Sequence, residues 1–298
     1  MSIVHDIVHT TTYHYREPVR FGPHRVMFRP RDSHDQRVLA TDLAVSPLAA
    51  IHLVQDVYSN SIALVQPVLE AAELRIVCAF SIEHVPGGPA PPLAVAAEAL
   101  PFTYAPEDWI DLAPYLRPHT DDPDGELIAW ARQFLDGRGR TPTLETLARM
   151  NATVGTSLRY AARDEEGTQL PLRTLELGTG SCRDYALLMM EAVRRLGIAA
   201  RFVSGYLYDE SLDAAGEAAM VGSGVTHAWL QVFLPGAGWV TYDPTNNLIG
   251  GSQLIRVAVV RDPAFAAPVS GIWYGEPDAY EGMTVTVRVS RRKMRRSG

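Results

Sequence analysis

Gly178-Thr-Gly-Ser-Cys182-Arg-Asp-Tyr185 carries a lone cysteine from a glycine-rich loop onto the start of an amphipathic helix. Tyr185, Leu188, Met189, Ala192, Val193 and Leu196 recur at i, i+3, i+4, i+7, i+8 and i+11, one apolar stripe on a 3.6-residue period. Arg194 and Arg195 fall in the last turn and Gly197 supplies a stop. The first turn of a helix has unpaired N–H groups and the positive end of the dipole, and both favour a thiolate. Gly178 and Gly180 let the backbone turn tightly with nothing bulky over the sulfur. Most free cysteines are small buried hydrophobes, but Cys182 stands off the apolar stripe. Cys78 does share a strand face with Leu74, Ile76, Phe80 and Ile82, and it reads as core.

Downstream, Ile198 to Tyr208 reads as a strand that runs into an acidic, alanine- and glycine-rich loop from Asp209 to Gly224. His227 to Leu234 reads as the next strand, with His227, Trp229, Gln231 and Phe233 on one face. Pro235-Gly-Ala-Gly238 turns the chain, and Trp239 to Asp243 pairs back as a hairpin. A histidine with an ordinary pKa of about 6.5 can take a thiol proton and return it to a leaving amine. Neighbouring antiparallel strands bring Asp243 within reach of His227, where it can orient the imidazole. Cysteine, histidine and carboxylate in that order are a nucleophile, a base and an orienter. An oxyanion formed on the substrate would need two donors. The Cys182 N–H is one; Gln169 and Tyr160 are candidates for the other. Trp229 and Tyr206 are candidate substrate contacts. Asp184, in the first helical turn, suits the helix dipole.

The first 85 residues read as β. Val8 to Tyr15 is rich in β-branched and aromatic residues, and Val38 to Ser46 and Ile51 to Val57 follow. Glu73 to His84 alternates with one apolar face, as in half of a sandwich. Six prolines between 86 and 106 mark a boundary, giving a β-rich region over 1–100 and an α+β core over 101–298. The core's first helix follows Asp121-Asp-Pro-Asp124 and ends by Gly137. A second begins near Thr143. A last alternating strand spans 283–290 and is assigned to the core.

The composition is that of an ordinary globular protein, 47% hydrophobic and 20% charged. No apolar run reaches the ~18 residues of a membrane span, and no secretory signal is visible at the N-terminus. Two cysteines make no disulfide framework. These features predict a cytoplasmic protein with no membrane partner. A net charge of −7 gives no reason to expect nucleic acid, and the basic run Arg291 to Arg296 reads as a solvated end. His9 and His14 lie on opposite strand faces, a poor metal pair. Cys182 and His227 alone are too few ligands for a structural zinc site.

Gly167-Thr-Gln-Leu-Pro171, Gly178 to Ala186, Arg194 to Leu207, His227-Ala-Trp229 and Gly238 to Asn246 resemble the transglutaminase-like superfamily. So do Arg256 to Asp262, Pro268 to Gly271 and the N-terminal His9 to Tyr15 with Pro18-Val19. The resemblance covers nearly the whole chain, and the cysteine block is its most specific part. It implies a papain-like core, with a helix bearing Cys182 packed on an antiparallel sheet bearing His227 and Asp243, and with a β-sandwich-like region before it. It also implies acyl transfer from a peptide or protein amide through a Cys182 thioester, as in a cysteine protease or amidase. Water is the expected acceptor, since no amine site is legible. The acidic residues Asp209, Glu210, Asp213 and Glu217 do not fit a calcium loop, so no metal or other cofactor is expected. The alternative is a silent scaffold on the same fold, whose cheapest sign would be a missing member of the Cys182, His227 and Asp243 set; none is missing. The loop from Asp209 to Gly224 is expected to overhang the cleft.

Overall fold

A computed structural model describes residues 2–85, 91–137, 139–163, 166–210, 220, 224–251 and 253–292. The N-terminal region contains β1 (Ile3–Val26), β2 (Gln36–Ser46), β3 (Ala49–Gln55), β4 (Ser61–Pro67) and β5 (Ala71–His84), followed by the short β6 (Ala99–Leu100). Next come α1 (Pro106–Leu116), α2 (Glu126–Arg132), β7 (Thr141–Pro142), α3 (Thr143–Ser157) and β8 (Arg159–Tyr160). Then α4 (Pro171–Leu177), β9 (Thr179–Gly180) and α5 (Cys182–Arg195) lead to β10 (Ala200–Leu207), β11 (Thr226–Leu234) and β12 (Gly238–Asp243). The chain ends with β13 (Leu248–Ile249), β14 (Leu254–Val260), β15 (Val269–Tyr274) and β16 (Tyr280–Arg291).

β1 organises the first region. Its first half pairs with β5 and β16, and its second half with β4 and β15. Between the halves the register shifts after His14 and again between Phe21 and His24, and Pro18 lies in this stretch. Proline removes a ladder donor, and bulges bend a strand. One strand thereby serves both halves of a sandwich-like region, ordered β2-β5-β1-β4-β3 with β15 and β16 also on β1. The alternation of β5 buries Leu74, Ile76, Cys78, Phe80 and Ile82 as the sequence predicts.

The terminal strand corrects one expectation. Residues 283–290, assigned to the core from the sequence, lie in β16, which pairs with β1 from His5↔Arg291 to Tyr15↔Tyr280. An alternating strand finds its partner by exposed ladder groups, and these lay at the other end of the chain.

The second layer is a five-stranded antiparallel sheet, β13-β12-β11-β10-β14. α5 packs on β10 and β11, with α2, α3 and α4 against its other side. Leu188, Met189, Met190, Ala192 and Val193 are all fully buried, so α5 is enclosed on nearly every face. Arg194 is buried because Glu191, 2.9 Å away, neutralises it. Gly197 takes φ +79° where the helix stops. Among the described residues no helix is long and apolar enough to cross a membrane.

The two regions share one apolar core. Tyr206, Tyr208, Ile255 and Val257 pack with Ile7, Phe28, Phe80 and Ile82. The edge of β14 is covered by side chains that imitate a neighbouring strand. Gln36 donates to Arg256 O at 2.8 Å and accepts from Arg256 N at 3.1 Å. Asn60 does the same with Val259 O and N, at 2.8 and 3.0 Å. An exposed edge is thus closed without another strand.

Candidate active site

Ser181 has the extended backbone of an N-cap, and Cys182 is the first residue of α5. Asp184 does more than meet the dipole. Its Oδ2 accepts from Ser181 N at 2.8 Å and Ser181 Oγ at 2.9 Å. Its Oδ1 accepts from Gln169 N at 2.6 Å and Arg163 Nη1 at 2.9 Å. A fully buried carboxylate thus fixes the cysteine turn and ties Arg163 and Gln169 to it. The spacing Ser181…Asp184 was a legible capping signal; the tie, made across the chain, was not.

His227 lies one residue inside β11 and Asp243 ends β12. The ladder runs Leu230↔Tyr242 and Gln231↔Thr241. Carried one step on, it sets Trp229 opposite Asp243, so His227 reaches the carboxylate on the diagonal of the shared face. His227 Nε2 donates to Asp243 Oδ2 at 2.9 Å, with both side chains fully buried. A carboxylate only accepts, so Nε2 carries the hydrogen and the buried Nδ1 is left for the thiol. Asp243 also opens the Asp-Pro-Thr-Asn turn, its Oδ1 accepting from Thr245 N at 3.0 Å. Asn246 Nδ2 donates to Oδ2 at 2.9 Å. One carboxylate therefore both shapes the turn and orients the ring.

The electrostatics couple thiol and ring. Burial alone would push the Cys182 thiol up. The His227 hydrogen bond and charge, the Ala228 N–H and the nearby Arg183 outweigh burial and hold the thiol below its usual range. Burial disfavours charge on His227, yet the Asp243 carboxylate and the Cys182 sulfur raise its pKa. The carboxyl of Asp243 is correspondingly lowered by His227 against its own burial. The proton is thus drawn to the imidazole and the negative charge to sulfur. Cys78 goes the other way, burial pushing its thiol to about 12.

The remaining candidates divide. Tyr160 is half-buried and pairs through β8 with Gly180, two residues before Cys182. Burial and then the charge of Cys182 raise its hydroxyl to about 12, which puts it within electrostatic reach of the sulfur. Gln169 is not available as a donor, because its Nε2 is committed to Thr174 Oγ1 at 3.0 Å and Thr179 O at 2.9 Å. Trp229 and Tyr206 are not substrate contacts. Trp229 is buried beside Val203, Leu207 and Leu254 with its ring stacked 5.9 Å from His227. Tyr206 is buried against the N-terminal sheet with its hydroxyl 2.7 Å from His9 Nδ1. Gly205, opposite His227 in the ladder, makes room for that indole: a Cβ there would meet Trp229 Cη2 at 2.8 Å and Ile255 O at 2.1 Å.

The expected overhang of the Asp209–Gly224 loop falls largely on residues 211–219 and 221–223, outside the described residues. Among the described residues no group of three or more His, Cys, Asp or Glu side chains is gathered as metal ligands.

A cysteine at a helix start facing a histidine–aspartate hairpin, preceded by a β-rich region, has a counterpart among known proteins. Residues 129–244 match the transglutaminase-like superfamily, and residues 5–83 match the bacterial transglutaminase-like N-terminal region. The chain belongs to this superfamily. An uncharacterized protein of Mycobacterium tuberculosis strain H37Rv is 31% identical over 283 residues, covering 90% of this chain and 87% of its own. A protein-glutamine gamma-glutamyltransferase of Pseudomonas aeruginosa is 40% identical over 100 residues, 32% of this chain and 15% of that protein. The crystal structure of a candidate cysteine protease from Cytophaga hutchinsonii superposes with a TM-score of 0.72 at 18% identity, over 99% of this chain and 92% of that one.

Proposed function

We propose that the protein is a thiol-dependent acyl-transfer enzyme acting on amide bonds of peptides or proteins through a Cys182 thioester. The observation that carries this reading is the buried His227–Asp243 pair at 2.9 Å beside a thiol held below its usual pKa. In this mechanism the Cys182 thiolate attacks the amide carbonyl carbon. The developing oxyanion is met by the Cys182 N–H at the start of α5 and by the Tyr160 hydroxyl. His227 Nδ1–H then gives its proton to the leaving nitrogen as the C–N bond breaks, while Asp243 stabilises the imidazolium. A water, deprotonated by His227, attacks the thioester and releases the acid and the free thiol. Hydrolysis is favoured over transfer to an amine, because water is always present and no amine site is legible in the sequence.

The test compares wild type with Cys182→Ala on glutamine-containing peptides, with and without a primary amine, reading ammonia release, cleavage and product mass. Wild type should release ammonia or cleave, and Cys182→Ala should lose at least ~10³-fold of the rate. Equal rates in the two proteins would overturn the thioester reading. A product carrying the amine as its main species would overturn the preference for water.

A further inference from the structure

A second constellation lies on the same hairpin, four residues from His227 and Asp243 on each strand, or about 13 Å along it. The Arg201 guanidinium, on β10, stacks 4.0 Å above the Trp239 ring centroid. Its Nε and Nη2 both donate to Gln231 Oε1, at 2.9 and 2.7 Å. Gln231 is itself fixed by donating to Thr241 Oγ1 at 3.1 Å. Tyr115 and Phe233 stand edge-on to Trp239, at 5.2 and 5.3 Å. One face and one edge of the guanidinium are therefore locked in place, and Nη1 is left over. A planar fork held this way is prepared for an oxyanion.

The charge around it is unbalanced. Among the described residues no carboxylate pairs with Arg201. Arg31 and Arg256 add like charge. Arg256 is neutralised by Asp35 at 3.0 Å, and Asp56, which faces Arg31, is also held by Arg25 at 3.3 Å. Among the described residues, the ion pairs and charges named here set four guanidiniums against two carboxylates, in a chain whose net charge is −7. Burial and the neighbouring Arg256 hold the Arg201 guanidinium far down, at about 9. Leaving a desolvated cation without a counter-charge is costly. Arg31, Tyr58, Tyr115, Arg201 and Trp239 are all half-buried, so part of each stays open to solvent.

We propose that this arginine–aromatic cluster binds a small oxyanion, a phosphate or carboxylate group, through Arg201 Nη1 and Arg31. The group is either free in solution or carried on an acidic peptide, and the site stands independently of the acyl-transfer chemistry. The test is calorimetric titration at fixed ionic strength, with inorganic phosphate in one arm and a glutamate-containing peptide against its glutamine counterpart in the other. Wild type should show saturable binding to at least one probe, weakened ~10-fold or more in both Arg201→Gln and Arg31→Gln. Preference for phosphate would assign a free anion, and preference for the glutamate peptide a carboxylate on a larger ligand. Arg31→Gln lies outside the stacked centre and keeps the test valid if Arg201→Gln fails to fold. No saturable binding of either probe, or unchanged binding in a folded variant, would overturn the proposal.

Discussion

Cys182 and Cys78 are both buried, yet their surroundings drive their thiols in opposite directions. Burial raises each. At Cys182 an imidazole, a backbone N–H and a guanidinium reverse the sign, whereas at Cys78 the near carboxylate of Asp42 adds to it. Iodoacetamide labelling followed by peptide mass across pH should therefore give Cys182 a midpoint below the ordinary ~8.5. Cys78 should stay unlabelled in the folded protein up to pH 10. A Cys182 midpoint at or above 8.5 would show that the His227 interaction does not outweigh burial. This contrast was legible in the sequence, since Cys182 sits off an apolar stripe and Cys78 on one. The fates of Trp229 and Tyr206 were not: an aromatic residue on a strand suits a cleft or a core equally, and only packing decides, that of β10 and β14 around Trp229 and that of the N-terminal sheet over Tyr206. Gln169 failed for a similar reason, its amide having been taken by Thr174 and Thr179 through a loop whose path the sequence does not encode.

At the scale of elements, the hairpin and the cysteine helix were readable because periodicity and turn residues are local signals. What holds them in register is not local. α3 approaches the Asp243 turn so closely that a Cβ at Gly155 would lie 2.4 Å from Pro244 O. Asn151, one turn earlier, donates to Asn247 Oδ1 at 3.0 Å. Helix propensity alone says that Gly155→Ala should stabilise by about 1 kcal/mol. The contact says that helix or turn must shift, which costs about 1–3 kcal/mol in a close-packed interior. The contact should win, giving net destabilisation in denaturant unfolding and a lower kcat, because Pro244 follows the carboxylate that orients His227. A stabilised variant with full activity would mean that the turn gives way freely and that α3 does not position Asp243. Nothing in a helical glycine's own sequence context announces such an approach. The same holds for the Gln36 and Asn60 amides on β14, whose partners lie about 200 residues away.

At the scale of the molecule, the β-rich region and the catalytic layer are joined by burial, and His9 sits at the joint. It is fully buried on β1, with Nδ1 2.7 Å from Tyr206 Oη and Nε2 3.1 Å from Thr11 Oγ1. Its ring stacks on Phe28 at 3.9 Å. Cys78 is its ladder partner on β5. Burial raises both the Cys78 thiol and the Tyr206 hydroxyl, so neither ionises near neutral pH to compensate a charge. Burial accordingly lowers His9 from about 6.5 to about 4. Between those values the unfolded chain binds a proton that the folded one refuses, so stability falls as pH drops through this window. At pH 7 there is no such penalty. At pH 5 it reaches about 2 kcal/mol, from ~1.5 units at ~1.36 kcal/mol each. His9→Gln keeps a hydrogen-bonding side chain but removes the titration. Urea unfolding should show the variant losing about 2 kcal/mol less than wild type between pH 7 and pH 5, although it starts lower at pH 7 for want of the imidazole's packing. Parallel pH curves for the two proteins would mean that His9 takes up its proton in the folded state, and that the joint between the regions opens to water where the structure shows it closed.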